Sequence, residues 1–429
     1  MQPVDRRVPE SRESRMIIRA RTAVTMDGPP IGNGAVVVSG DRIADVGKFD
    51  EIKERNAGEV VDLEEQALLP GLINAHCHLD YTCLRGKIPP QQPFAHWIRA
   101  INTEKSTLSA QDYLASIHEG FTEAQRFGTT TIANLTAFAD LVPQIHALIR
   151  TWWFAELIDV RAPERANQIA DLAIESLRRA RPPGAPWGLA PHALFTASKN
   201  VFEHCEEIAR RENISLTTHL AESREEMEMF RDASGPLYEF MKSIGRGMDD
   251  WGRGTPLGLF VGALGDRALP HWIVAHLNEL AESDFELLEK SDARFHVVHC
   301  PRSHEYFGHG RFAFQRLRSL GFNICLGTDS LASNQSLSLF DEMRAFEKEF
   351  PGSSPEEILQ MVTVNPACAL RQENALGRIR SGFRADLIAI PIGPGNVFDE
   401  IIAFKDAVDW MLLDGKDQRK TAAPATILP

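Results

Sequence analysis

Pro70-Gly71-Leu72-Ile73-Asn74-Ala75-His76-Cys77-His78-Leu79-Asp80 closes an apolar run on two histidines one residue apart. In extended backbone, residues i and i+2 share a face. His76 and His78 therefore point one way and Cys77 the other. Two imidazoles side by side at a strand end can grip one metal ion; the competing reading is two unrelated histidines. The rest of the chain decides between them.

Outward from this stretch, short apolar runs alternate with amphipathic segments, the pattern of βα units. Strands are expected over residues 71–78, 129–135, 152–157, 188–192, 215–219, 272–276, 295–299 and 322–329. Helices are expected over 109–126, 163–181, 199–211 and 223–244 among them. Eight such strands match an α/β fold of the (β/α)₈ barrel type, spanning 70–375. Before it, residues 16–69 read as short strands joined by Gly and Asp turns, and that texture returns over 376–429. Both ends are therefore expected to build one small β-sandwich domain. Residues 1–15, polar and charged, read as a disordered tail, and Met16 offers a second start.

Active sites of such barrels lie at the C-terminal ends of the strands. Six of the eight expected strands end in His78, His192, His219, His276, His299 or Asp329. His76, His78, His219 and Asp329 are the candidate metal ligands. Three imidazoles and one carboxylate form a donor set suited to Zn²⁺ and acceptable to Fe²⁺ or Mn²⁺. Alternatives for single members are a backbone-bonded His219 and an Asp329 that caps the following segment.

Composition narrows the class further. The chain has 429 residues, 43% hydrophobic and 24% charged, with net charge -13. That balance argues against a nucleic-acid backbone as partner. Six cysteines without a C-x-x-C read as reduced thiols, hence a cytoplasmic protein. No apolar run is long enough to span a bilayer.

The set His76-x-His78, His219-x-x-Glu222, His276 and Gly327-Thr328-Asp329 resembles the amidohydrolase superfamily, as do Leu84-Arg85-Gly86, Thr363-x-Asn365-Pro366-Ala367 and Gly377-x-Ile379-x-x-Gly382-x-x-Ala385-Asp386-Leu387. Within it, the chain is similar to the branch of chlorohydrolases and aromatic-amine deaminases. The resemblance covers residues 16–391. It implies one metal, since the carbamylated lysine of binuclear members has no counterpart in the fourth strand; Lys199 lies further on and reads as a solvated helix residue.

The resemblance also implies roles. Glu222 would protonate a ring nitrogen, His276 would hold the hydrolytic water and the developing oxyanion, and Asp329 would move the water's second proton to the leaving nitrogen. His192 would touch substrate. Deaminases of this branch usually carry Pro-x-Ser-Asn after the seventh strand. Here Pro301-Arg302-Ser303-His304 replaces it, and Arg302, His304 and His309 are read as candidate substrate contacts. Trp97, in a segment expected to overhang the site with Asn102 and Lys105, is a candidate stacking surface. Arg161 and Arg165 lie in the region of ribose-side arginines without a clean motif.

The expected partner is thus a small heterocyclic amine, such as aminodeoxyfutalosine or methylthioadenosine/S-adenosylhomocysteine. Displacement of chloride or an alkylamine from a triazine-like ring is the alternative. The resemblance further implies a homodimer or a larger assembly.

Overall fold

The structure, a computed structural model, describes residues 15–90, 93–180, 185–248, 254–264, 271–291 and 293–418. The tail expected over 1–15 lies outside the described residues except for Arg15. The chain forms two compact units, one of residues 72–373 and 401–407, the other of 1–71, 374–400 and 408–429.

The first unit holds an eight-stranded sheet in consecutive order: Leu72–Cys77, Thr129–Thr136, Arg150–Leu157, Trp187–Pro191, Ser215–Leu220, Trp272–His276, His296–His299 and Asn323–Leu326. Neighbouring strands pair in parallel register. Most positions are buried on both faces, so these strands read as continuous runs, not alternations. The eighth strand stops at Leu326, three residues short of Asp329. The next residues run along the first strand instead, with the Thr328 and Asp329 amides donating to the His76 carbonyl at 3.1 and 3.2 Å. A parallel bridge pairs Cys77 with Asp329. Gly327 is required there, because a Cβ would meet the His76 carbonyl oxygen at 2.8 Å. The sheet is in this way nearly closed into a barrel.

Helices cover the connections. Ser109 caps Ala110–Arg126 in a reciprocal box with Asp112, and Ser198 caps Lys199–Glu212. Two expected helices are broken. A 3₁₀ turn, Pro163–Arg165, precedes Ala166–Ala180; Arg181 lies outside the described residues. The segment 223–244 is two helices, Arg224–Asp232 and Gly235–Ser243. Ala233 ends the first in a left-handed conformation (φ 51), and Pro236 opens the next.

The other unit is one mixed eight-stranded sheet. Its N-terminal strands are Arg15–Ala23, Ile31–Ser39, Arg42–Lys48, Glu59–Asp62 and Gln66–Pro70; the C-terminal ones are Leu387–Pro391, Trp410–Leu413 and Lys416–Asp417. The two sets join where Gln66–Pro70 pairs antiparallel with Leu387–Pro391. The β-sandwich expected from both termini is realised as this continuous sheet. Ile18, Val36, Leu387 and Trp410 pack on one face; Ile17, Val37 and Ile52 form a separate cluster.

Candidate metal centre and active site

Four side chains converge at the C-terminal ends of the barrel strands. Single ligand atoms of His76, His78, His219 and Asp329 all lie within 4.8 Å of one another, and all four residues are buried. His78 Nε2 and His219 Nε2 stand 3.1 Å apart. Asp329 Oδ1 is 3.7 Å from His76 Nε2 and 3.8 Å from His78 Nε2.

Neighbours aim these atoms. His219 Nδ1 faces the His192 carbonyl oxygen at 2.9 Å, which leaves Nε2 for the centre. Asp329 Oδ2 accepts from Ser303 Oγ at 2.7 Å and Ser333 Oγ at 3.0 Å, which turns Oδ1 inward. Burial depresses the pKa of His219 to about 4 and that of His78 well below its ordinary value. Burial would raise the Asp329 carboxyl, yet His76, 3.7 Å away, and the other surrounding histidines hold it well below the carboxylate range. Neutral imidazoles and an ionised carboxylate are the states that ligate. Both ring nitrogens of the fully buried His76 lack a partner among the described residues. A cation at the convergence point would engage one of them and remove part of the cost of burying them unpaired. The four residues fit a divalent ion of the Zn²⁺ class.

A cavity of about 700 Å³ opens over this cluster. Glu222 and His276 flank the metal group, with Glu222 Oε1 3.9 Å from His276 Nε2. Glu226 fixes the loop by accepting from the Ala221 and Glu222 amides at 3.1 and 2.8 Å. Burial raises the Glu222 carboxyl well above its usual range, helped by Asp329 and Glu226. Ala221 (φ 49), His276 (φ 78) and Asp329 (φ 55) are non-glycine residues in left-handed backbone. Such strain persists only where surrounding contacts impose it, and it clusters at functional sites.

His192 and Trp97 line the cavity, as do Asn102, Lys105 and Arg161. Arg302 and His304 are not among the residues that line it. The segment after the seventh strand folds into a helix, Pro301–Phe307, stopped by Gly308 (φ 65). This turns the Arg302 guanidinium to Asp341 Oδ2 at 3.1 Å. His304 is packed between His299 and His309, at ring distances of 5.1 and 5.4 Å. His309 lines a separate cavity with Glu225, Glu228 and Glu279. Arg165 bonds Gln168, and exposed Lys199 pairs with Glu203.

With this geometry in view, the comparison with known families is decisive: the amidohydrolase model matches residues 67–411. The chain belongs to the amidohydrolase family. A 5-methylthioadenosine/S-adenosylhomocysteine deaminase of Pyrococcus furiosus is 30% identical over 390 residues, covering 87% of this chain and 86% of the relative. A 5'-deoxyadenosine deaminase of Methanocaldococcus jannaschii is 25% identical, covering 89% of each chain. Among solved structures, Helicobacter pylori aminofutalosine deaminase in complex with methylthio-coformycin superposes with a TM-score of 0.83 at 19% identity. That superposition covers 94% of this chain and 99% of the other, and shows that the two share a fold.

Glu156 escaped the sequence reading. It is the penultimate residue of the third strand and lines the cavity beside His78 and His192. The signal was a lone carboxylate in Trp152-Trp153-Phe154-Ala155-Glu156-Leu157, where the strand end was taken as Leu157.

Proposed function

We propose that this amidohydrolase hydrolytically deaminates an adenine-type nucleoside, releasing ammonia and leaving a lactam carbonyl. The observation that carries the reading is Glu222 on the cavity wall, 3.9 Å from His276 Nε2, beside the His76, His78, His219 and Asp329 group. When bound there, a divalent ion, Zn²⁺ by the donor set, supplies a water acidified toward neutrality as nucleophile.

The chain's own residues do the rest. The buried Glu222 side chain takes the first proton of the attacking water and delivers it to the ring nitrogen of the N=C–NH₂ unit, making the adjacent carbon electrophilic. His276 Nε2, which has no partner among the described residues, faces the oxygen that develops charge. Asp329 Oδ1 takes the second proton of the attacking water and passes it to the departing nitrogen. One C–O bond forms and one C–N bond breaks. Trp97, Ile98, Ile101, Phe195 and Phe240 make the cavity wall apolar enough to hold a flat ring and exclude bulk water.

The substrate class follows the relatives, whose names cover methylthioadenosine, S-adenosylhomocysteine, 5'-deoxyadenosine and aminofutalosine. Ammonia release from the zinc-loaded protein, across these nucleosides, guanine and amino- or chlorotriazines, tests the reading. Release from an adenine nucleoside, abolished in Glu222→Gln, supports it. Release of chloride or alkylamine with silence on the nucleosides overturns it.

A further inference from the structure

The third barrel strand carries a buried carboxylate that the proposed chemistry does not use. The Glu156 side chain is 4% exposed and lines the cavity. Its Oε1 is 3.8 Å from His78 Nδ1 and 3.8 Å from His192 Nε2, both beyond hydrogen-bond reach. No donor among the described residues reaches it. An ionised carboxylate taken out of water without donors is a large uncompensated cost. Lys105 offsets part of that cost through its field, with its Nζ 4.5 Å from the Tyr81 ring centroid on the same cavity wall. The oxygens themselves remain open to whatever fills the cavity.

The position restricts the missing donor. One imidazole, that of His78, separates Glu156 from the ligating nitrogens. A group bound to Glu156 therefore sits about one ring-width from the carbon under attack. In a purine nucleoside whose amine-bearing carbon lies at the metal group, the sugar occupies that distance. The pentoses of methylthioadenosine and 5'-deoxyadenosine carry two neighbouring hydroxyls, and a carboxylate can accept from both at once. The geometry points to Glu156 as the recognition residue for the vicinal hydroxyls of a substrate pentose. The choice of a nucleoside as ligand rests on the deaminase reading; the need for a donor at Glu156 does not.

Equilibrium binding of purine riboside and its 2'-deoxy and 3'-deoxy analogues, none bearing the amine, tests this on the zinc-loaded protein and on Glu156→Gln. The expected result is a preference of about tenfold or more for the riboside, the scale of a hydrogen bond to a charged group. Glu156→Gln should bring the three ligands within about twofold while keeping its metal. Equal binding of riboside and deoxy analogues by the wild type overturns the inference and needs no variant. So does a preference that survives Glu156→Gln. Loss of metal in that variant with uniform weakening overturns it too, because Glu156 would then serve only to orient His78. Riboside-selective binding without ammonia release from the matching amines would break the deaminase reading and leave Glu156 standing.

Discussion

Two clusters of histidines lie in the barrel unit, and their contrast shows what makes a site. His76, His78 and His219 sit with ring centroids 4.9–5.2 Å apart. His299, His304 and His309 are spaced almost identically, at 5.1 and 5.4 Å, and burial depresses them as well. In the first cluster a backbone carbonyl and two serines turn one nitrogen of His219 and one oxygen of Asp329 toward a common point. In the second, His299 stacks on Phe312 at 4.1 Å, and the Glu349 carboxylate stands 3.9 Å from its ring. Density and burial are shared; convergence is not.

The sharpest way to break this comparison is to remove one ring from each cluster. His219→Ala should lose its metal and cut kcat/KM by roughly a thousandfold or more, whereas His304→Leu should keep one metal per chain. Metal analysis and turnover on both variants check it. Comparable metal loss in His304→Leu would erase the distinction.

Within the first cluster, the flanking acid should separate from the ligands. Glu222→Gln should retain metal and lower kcat by about 10²–10⁴, the range for a lost general acid. Single-turnover kinetics on the metal-replete variant measures this.

The second cluster should report itself through pH. Burial holds His304 to about 4 and His309 to about 3, against an ordinary 6.5. Their folded-state pKa values are depressed, so the unfolded chain binds more protons as pH falls below 6.5. Stability is present above that value and is lost as pH drops toward 4, by up to about 3 kcal/mol at His304. Thermal melts of the wild type and His304→Leu from pH 7 to 4 check it, with a flatter profile expected for the variant. Arg302→Ala should do least. Its pair with Asp341 is about a quarter exposed, worth roughly 1 kcal/mol or less, and kcat/KM should stay within about twofold.

How much was legible follows the same division. The barrel strands could be read because parallel interior strands are apolar throughout. The ligands could be read because the i, i+2 rule and the strand-end rule act locally on His76, His78 and His219. Asp329 was placed at a strand end, but the strand stops at Leu326 and the ligand arrives by a loop docked on the first strand. The helix over Pro301–Phe307 could not be read, because whether a segment after a strand stays open or coils depends on tertiary contacts. Here the Arg302 amide donates to the buried Glu342 carboxylate. Glu156 was passed over because its role depends on two side chains from other strands.

The most direct test of the central claim is the fate of oxygen from isotopically heavy water during turnover of an adenine nucleoside by the zinc-loaded protein. The account predicts one heavy oxygen in the new lactam carbonyl and one ammonia per product, both abolished in Glu222→Gln. Intact nucleoside with no label incorporated and no ammonia, from protein carrying one metal per chain, would contradict it.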